Sequence, residues 1–248
     1  MLTRDVADGV HLLADAYVNC YLLEDEDGLT LVDTGLPGMW SELSRALAQL
    51  GRTAGDISAI VLTHAHFDHT GCAGRAQVEW GLPVWAHPED HYIAAHPYRY
   101  EHEKPRLLYL LRYPRGVRIL ATMARAGALR VKGVRDLQEL RPGTVLNLPG
   151  RPRVLFTPGH TAGHCALHLP DRRTVITGDA LVTLDPYTGL PGPQIVAGAA
   201  TANSRQALTS LDVLAGTGAD IVLPGHGEPW LTGIAAAVEH ARTHHTND

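Results

Sequence analysis

Cysteine is scarce in this chain, and what there is does not pair. Cys20, Cys72 and Cys165 are odd in number, scattered and without CxxC spacing, which excludes a disulfide framework. No run approaches the ~20 apolar residues that span a bilayer. The opening MLTRDVADGV carries two aspartates where a signal peptide has its apolar core, so a cytoplasmic protein without a membrane partner is expected. An excess of basic residues is missing too. At a net charge of −5 the chain as a whole does not advertise nucleic-acid binding. Nor does a GxSxG nucleophile elbow occur.

Histidine, glycine and proline are plentiful instead, at 15, 25 and 16 of 248 residues. With 45% hydrophobic and 19% charged residues, the composition is that of a soluble globular protein, read as one domain over 1–248. Strand-like segments run to Gly35, with Asp27-Gly28 as a hairpin joint. PGMWSELSRALAQLG has helical spacing and a terminal Gly51. SAIVLTHAH is a short β-branched run that ends in histidines, as a buried strand does when it delivers residues to a loop. Helix-like HTGCAGRAQVEWG and strand-like LPVWAH follow. The second half adds strands at RVLFTPGH, HCALHLP, RTVITGD and DIVLPGHG, a helix around 203–215 and a closing helix. Runs of strands followed by alternation with helices predict an α/β, or α+β layered, fold.

The densest chemistry lies in THAHFDHTG, where His64, His66, Asp68 and His69 fall within six positions. Imidazole and carboxylate suit Zn²⁺, Fe²⁺ and Mn²⁺. Further candidates sit beside glycine after short apolar runs: His160 in TPGHTAGH, Asp179 in ITGDAL and His226 in LPGHG. Seven ligands exceed what one ion uses. Two ions ~3.5–4 Å apart, bridged by a carboxylate and a hydroxide, would use them all.

These residues resemble a known family. His64-x-His66-x-Asp68-His69, then Gly-His160, Gly-Asp179 and Gly-His226, with DTG at Asp33 to Gly35, is similar to the metallo-β-lactamase superfamily over about 17–230. The resemblance implies an αββα sandwich with the site at one edge. It implies a first ion on His64, His66 and His160, a second on Asp68, His69 and His226, and Asp179 between them. Asp33 would orient the ligand loop, its alternative being a turn aspartate. His164 is either a supporting partner or a packing histidine. Cys72 is expected to be a buried, inert thiol.

Two divalent ions would generate a hydroxide at neutral pH, with Asp68 shuttling the proton to the leaving group. Hydrolysis of an ester, thioester or lactone is the primary reading, with zinc expected first and iron or manganese compatible with the same ligands. The bridging-type aspartate resembles the glyoxalase II and lactonase branches; β-lactam-cleaving branches carry Cys or Ser there. Acyl-homoserine lactonases place a tyrosine three residues after that aspartate, where this chain has Val182, with Tyr187 eight residues on. Two alternatives stay open: a mononuclear iron enzyme resembling persulfide dioxygenases, on His64, His160 and Asp179, and a phosphodiesterase or nuclease.

Residues 89–143 are read as a helical insertion. Between Arg99 and Arg135 the chain carries a charge of +8, leaving −13 elsewhere, and five of eight tyrosines lie between Tyr92 and Tyr113. The segment is read either as a lid binding an anionic small-molecule substrate, with Tyr109, Arg112 and the outlying Tyr187 as candidate contacts, or as a solvated helical pair or homodimer interface. Nucleic acid ranks low as a partner.

Overall fold

Alternation within the strands sets the layers. The computed structural model describes residues 1–245, so the expected span of 1–248 runs past them. Strands β1 (Leu2–Ala7), β2 (Val10–Asp15), β3 (Val18–Asp25), β4 (Gly28–Val32), β5 (Ile57–Val61), β6 (Val84–Ala86) and β7 (Gln138–Glu139) form one sheet in sequential order. Pairing is antiparallel as far as β4 and parallel from β4 to β7. The second sheet has the order β13 (Ile221–Pro224), β10 (Thr174–Gly178), β9 (Cys165–Leu169), β8 (Arg153–Phe156), and β11 (Val182–Leu184) pairs with β12 (Pro191–Gln194) alone.

Because side chains alternate across a strand, β3 sends Cys20 and Leu22 one way and Tyr21 and Leu23 the other. The first pair joins a core under α1 (Met39–Leu50) and α3 (Ala73–Trp80) with Leu43, Leu47 and Ala76. The second meets Cys165, Leu167 and Leu169 of β9 between the sheets. Ala166 of β9 and Val175 of β10 face outward, under α7 (Ser204–Ala215) and α8 (Ile234–His245). Three apolar interfaces thus separate four layers, helix, sheet, sheet, helix, as the family resemblance implied.

Local signals acted mostly where they were read. Gly51 caps α1 in the left-handed conformation and donates to Ala48 O. Asn203 caps α7 by accepting from Gln206 N at 3.0 Å. The hairpin turn falls one residue earlier than expected: Asp25 pairs with Gly28, so Glu26 and Asp27 make the joint. The helix-like run expected from His69 is broken, its first residues belonging to α2 (Phe67–Thr70) and the rest to α3. Gly71 N donates to Gly35 O and Cys72 N to Thr34 Oγ1; bonding back to the DTG turn interrupts the helix.

Between β6 and β7 lie α4 (His91–Ala95), α5 (Arg106–Arg112) and α6 (Pro114–Arg125). Ile119 and Met123 of α6 pack on Val18 and Leu36, while Leu107, Leu108, Leu110 and Leu111 of α5 are exposed. Among the described residues no helix is long and apolar enough to cross a membrane.

Candidate metal centre

Strands β4, β5, β8, β10 and β13 deliver residues to one edge of the sandwich. Immediately or shortly after their last residues come Asp33, His64, His160, Asp179 and His226. The His64–His69 loop turns there into the four-residue α2, so Asp68 and His69 also face that edge. The seven candidate ligands are each at most 6% exposed.

They gather into two triads. One donor atom from each of His64, His66 and His160 lies within 4.8 Å of the others, and the same holds for Asp68, His69 and His226. Asp179 stands between them: its Oδ2 is 3.4 Å from His160 Nε2 and 3.2 Å from His226 Nε2, and its Oδ1 is 3.6 Å from His69 Nε2. Asp68 Oδ2 lies 3.4 Å from His226 Nε2.

The outer hydrogen bonds determine which ring nitrogen faces inward. His69 Nδ1 donates to Asp33 Oδ2 at 2.9 Å, and His226 Nδ1 donates to Tyr17 O at 2.6 Å. Thr63 Oγ1 gives its proton to Asp33, so it accepts from His64 Nδ1 at 3.1 Å. Thr201 Oγ1 gives its proton to Val196 O and accepts from His160 Nδ1 at 3.2 Å. Each of these four rings therefore keeps its Nδ1 proton outward and turns Nε2, the nitrogen a metal would take, toward the cluster. His66 approaches differently, with Nδ1 2.9 Å from His160 Nε2. Among the described residues, Nε2 of His64, His69 and His226 and Oδ1 of Asp179 are buried without a hydrogen-bond partner. Buried polar atoms are normally satisfied. Inward nitrogen and oxygen atoms, left unpartnered in two triads, fit divalent cations that would displace the protons held there.

Electrostatics point the same way. Burial pushes His64 and His160 well below the usual imidazole range, and His66 down to about 4. For His69 burial acts likewise, but Asp179, Asp33 and Asp68 outweigh it and raise its pKa to about 9. His226 is also held high, burial being overcome by Asp179 and Asp68. Burial would raise Asp179, yet His226 and His69 hold it well below the carboxylate range. The carboxylates demand positive charge at this spot, which a proton or a metal ion supplies.

Supporting groups lie behind the candidate ligands. Asp33, at φ 56, also accepts from Thr63 N at 2.8 Å. His164 gives its Nδ1 proton to Thr157 Oγ1 at 2.8 Å and accepts from Asp179 N at 3.0 Å on Nε2. Gly225 must lack a side chain, since a Cβ there would overlap Asp179 Oδ1 and His69 Cε1. Cys72 is buried beneath, its thiol raised to about 12 by burial.

The sequence reading missed Asp90. It is 1% exposed and accepts from Ala65 N at 2.9 Å, Thr161 Oγ1 at 2.8 Å and Gly163 N at 2.8 Å. One carboxylate thereby ties the His64–His66 loop to the His160 loop. The only signal for it in sequence is an acidic residue soon after the LPVWAH strand.

Above the cluster, Tyr100, Leu120 and Met123 join Tyr187, Val196 and Ala200 around a cavity of about 10 Å³. That is room for about one water. The Tyr100 ring lies 4.1 Å from that of His66. Tyr187 thus faces the cluster, but Tyr109 and Arg112 do not: they line a separate cavity of about 630 Å³ with Lys104, Leu108, Ile195 and Val196. Tyr109 meets Tyr187 edge-on at 6.2 Å.

Comparison with known proteins agrees with this geometry. The family model described as the metallo-beta-lactamase superfamily matches residues 13–226. The probable metallo-hydrolase YflN of Bacillus subtilis (strain 168) is 26% identical over 241 residues, covering 92% of this chain and 87% of its own. A metallo-beta-lactamase family protein from Thermus thermophilus is 30% identical, with a TM-score of 0.71 over 97% of this chain and 80% of its own. TTHA1623, solved in a di-iron-bound form, is 27% identical, with a TM-score of 0.64 over 94% of this chain and 98% of its own.

Proposed function

This chain belongs to the metallo-β-lactamase superfamily of metallo-hydrolases, and we propose that it is a binuclear hydrolase of an ester, thioester or lactone. The observation that carries the reading is the pair of inward-facing triads with Asp179 reaching both. A similar protein binds two irons, which supports two ions here; zinc, iron and manganese all suit this donor set. His64, His66 and His160 would hold one ion, Asp68, His69 and His226 the other, and Asp179 both.

When bound, two such ions supply Lewis acidity that acidifies water and polarises a carbonyl oxygen. The chain does the rest. Asp33, Thr63, Thr201 and the Tyr17 carbonyl fix the imidazole tautomers. Asp68, kept ionised by His69 and His226 against its burial, accepts the proton of the attacking water and returns it to the leaving atom. Tyr100, Leu120 and Met123 close the insertion over the cluster as a lid that excludes bulk water. With so small a cavity, substrate entry requires that lid to move.

The test is a metal count on purified protein, followed by a panel of esters, thioesters and lactones. About two ions per chain and metal-dependent hydrolysis are expected. A single tightly bound iron with oxygen consumption on persulfides would replace this reading with the dioxygenase-like one.

A further inference from the structure

Arg106 opens α5 between Lys104 and Leu108, which line the larger cavity, and lies over Tyr100, which lines the small one. Its Nε donates to Ala199 O at 3.2 Å, and its guanidinium carbon sits 4.4 Å from the Tyr100 ring centroid. Tyr100 in turn lies against His66, with its hydroxyl 3.4 Å from that of Tyr187. Ala200, one residue past Arg106's acceptor, lines the small cavity over the cluster; Ala197 and Gly198, just before it, line the larger one.

Among the described residues Arg106 Nη2 is buried and has no hydrogen-bond partner. None of the arginine ion pairs among them involves Arg106. Guanidinium keeps its charge at any accessible pH; the residue is half-buried, and an enclosed donor left without an acceptor costs free energy. An aromatic face and one carbonyl compensate it only in part. The adjoining cavity of about 630 Å³ has the size of a small-ligand site and adds Lys104 and Arg112 to an apolar wall of Leu108, Ile195 and Val196. Its carboxylate, Asp185, is already turned to the backbone N–H groups of Tyr187, Thr188 and Ala197.

We propose that Arg106 is the receptor for an oxyanion on the substrate, a carboxylate or phosphate remote from the scissile bond, with the intervening apolar portion lying along the Val196 wall. The proposal rests on the hydrolase reading and narrows it to esters, thioesters or lactones that carry a second, anionic end.

The experiment compares wild type, Arg106→Gln and Arg106→Lys, each with metal content measured, on three p-nitrophenyl esters of matched chain length ending in methyl, carboxylate or phosphonate. A charge-assisted hydrogen bond lost from the enclosed Nη2 is expected to lower kcat/KM about 10–100-fold for the charged ester that fits, mainly through KM. The methyl ester should change no more than about threefold, and Arg106→Lys should recover part of the loss. The charged ester with the larger loss identifies the anion. Equal losses on all three esters would overturn the proposal and make Arg106 a clamp for Tyr100; so would no loss on any. Should metal-loaded wild type turn over none of these esters and none of the thioesters and lactones of the panel, the hydrolase reading fails. The Arg106 assignment is then decided by calorimetry: suberate binding weakened about tenfold or more by Arg106→Gln, with the uncharged octanamide unaffected, supports it, and equal effects refute it.

Discussion

Replacing Asp90 by Asn separates what this carboxylate costs from what it does. Burial pushes Asp90 from the ordinary 3.8 up to about 6, against the opposing pull of Thr161, Ala65 and Gly163. A carboxyl whose pKa is higher in the folded state contributes fully below its unfolded value, and that contribution is lost as pH rises through the folded one. The size of the loss is about 3 kcal/mol. Asn resembles the protonated carboxyl, with one accepting and one donating side, but cannot ionise. Asp90→Asn should therefore match wild type near about pH 4 and exceed its stability by about 3 kcal/mol near about pH 8. Urea unfolding of chelator-treated protein across that range measures the difference, in which the titrations common to both proteins cancel. The amide can accept on one side only, so either the Gly163 bond or the Ala65 and Thr161 bonds are lost. The two ligand loops then loosen, and metal affinity should fall about 10–100-fold. A stability difference that is flat, or that falls with pH, would refute the reasoning; the latter would mean that the three donors outweigh burial.

Gly225→Ala should reduce metal binding at least about tenfold while the far-ultraviolet circular dichroism stays native, because the new Cβ displaces Asp179 and His69. Gly51→Ala is the control: its left-handed backbone is far from the cluster, so about 1 kcal/mol of stability and no metal should be lost. Loading the metal-free chain with zinc at about pH 7 should release protons, since His69 at about 9 and His226 above the usual range carry them there and ligands bind deprotonated. Affinity should weaken as pH falls. Calorimetry in buffers of different ionisation enthalpy reads the release, and buffer-independent heats would count against it.

The parts of the centre legible in sequence are those specified within a few residues. His64, His66, Asp68 and His69 share one loop, and His160, Asp179 and His226 each follow a glycine at the end of a strand, so strand periodicity alone sends them toward one edge. The layering is legible for the same reason: alternation in β3 and β9 assigns each apolar residue to a face. Asp90 and Arg106 belong to another class. Asp90 matters because the His64–His66 and His160 loops both present donors to it, a meeting across 25 and 71 residues of chain that no local spacing encodes. Arg106 is one of ten basic residues from Arg99 to Arg135, a run that in sequence reads as one solvated face. What singles it out is how the insertion docks. Gly116 lets α6 approach the backbone at Tyr187, where any Cβ would overlap that carbonyl, and Lys104 N bonds Gly198 O. These two contacts fix the chain on either side of α5, so Arg106 turns inward while Arg112 stays at the rim. Charge count therefore suggested an anion, but only tertiary contact could say which cation meets it.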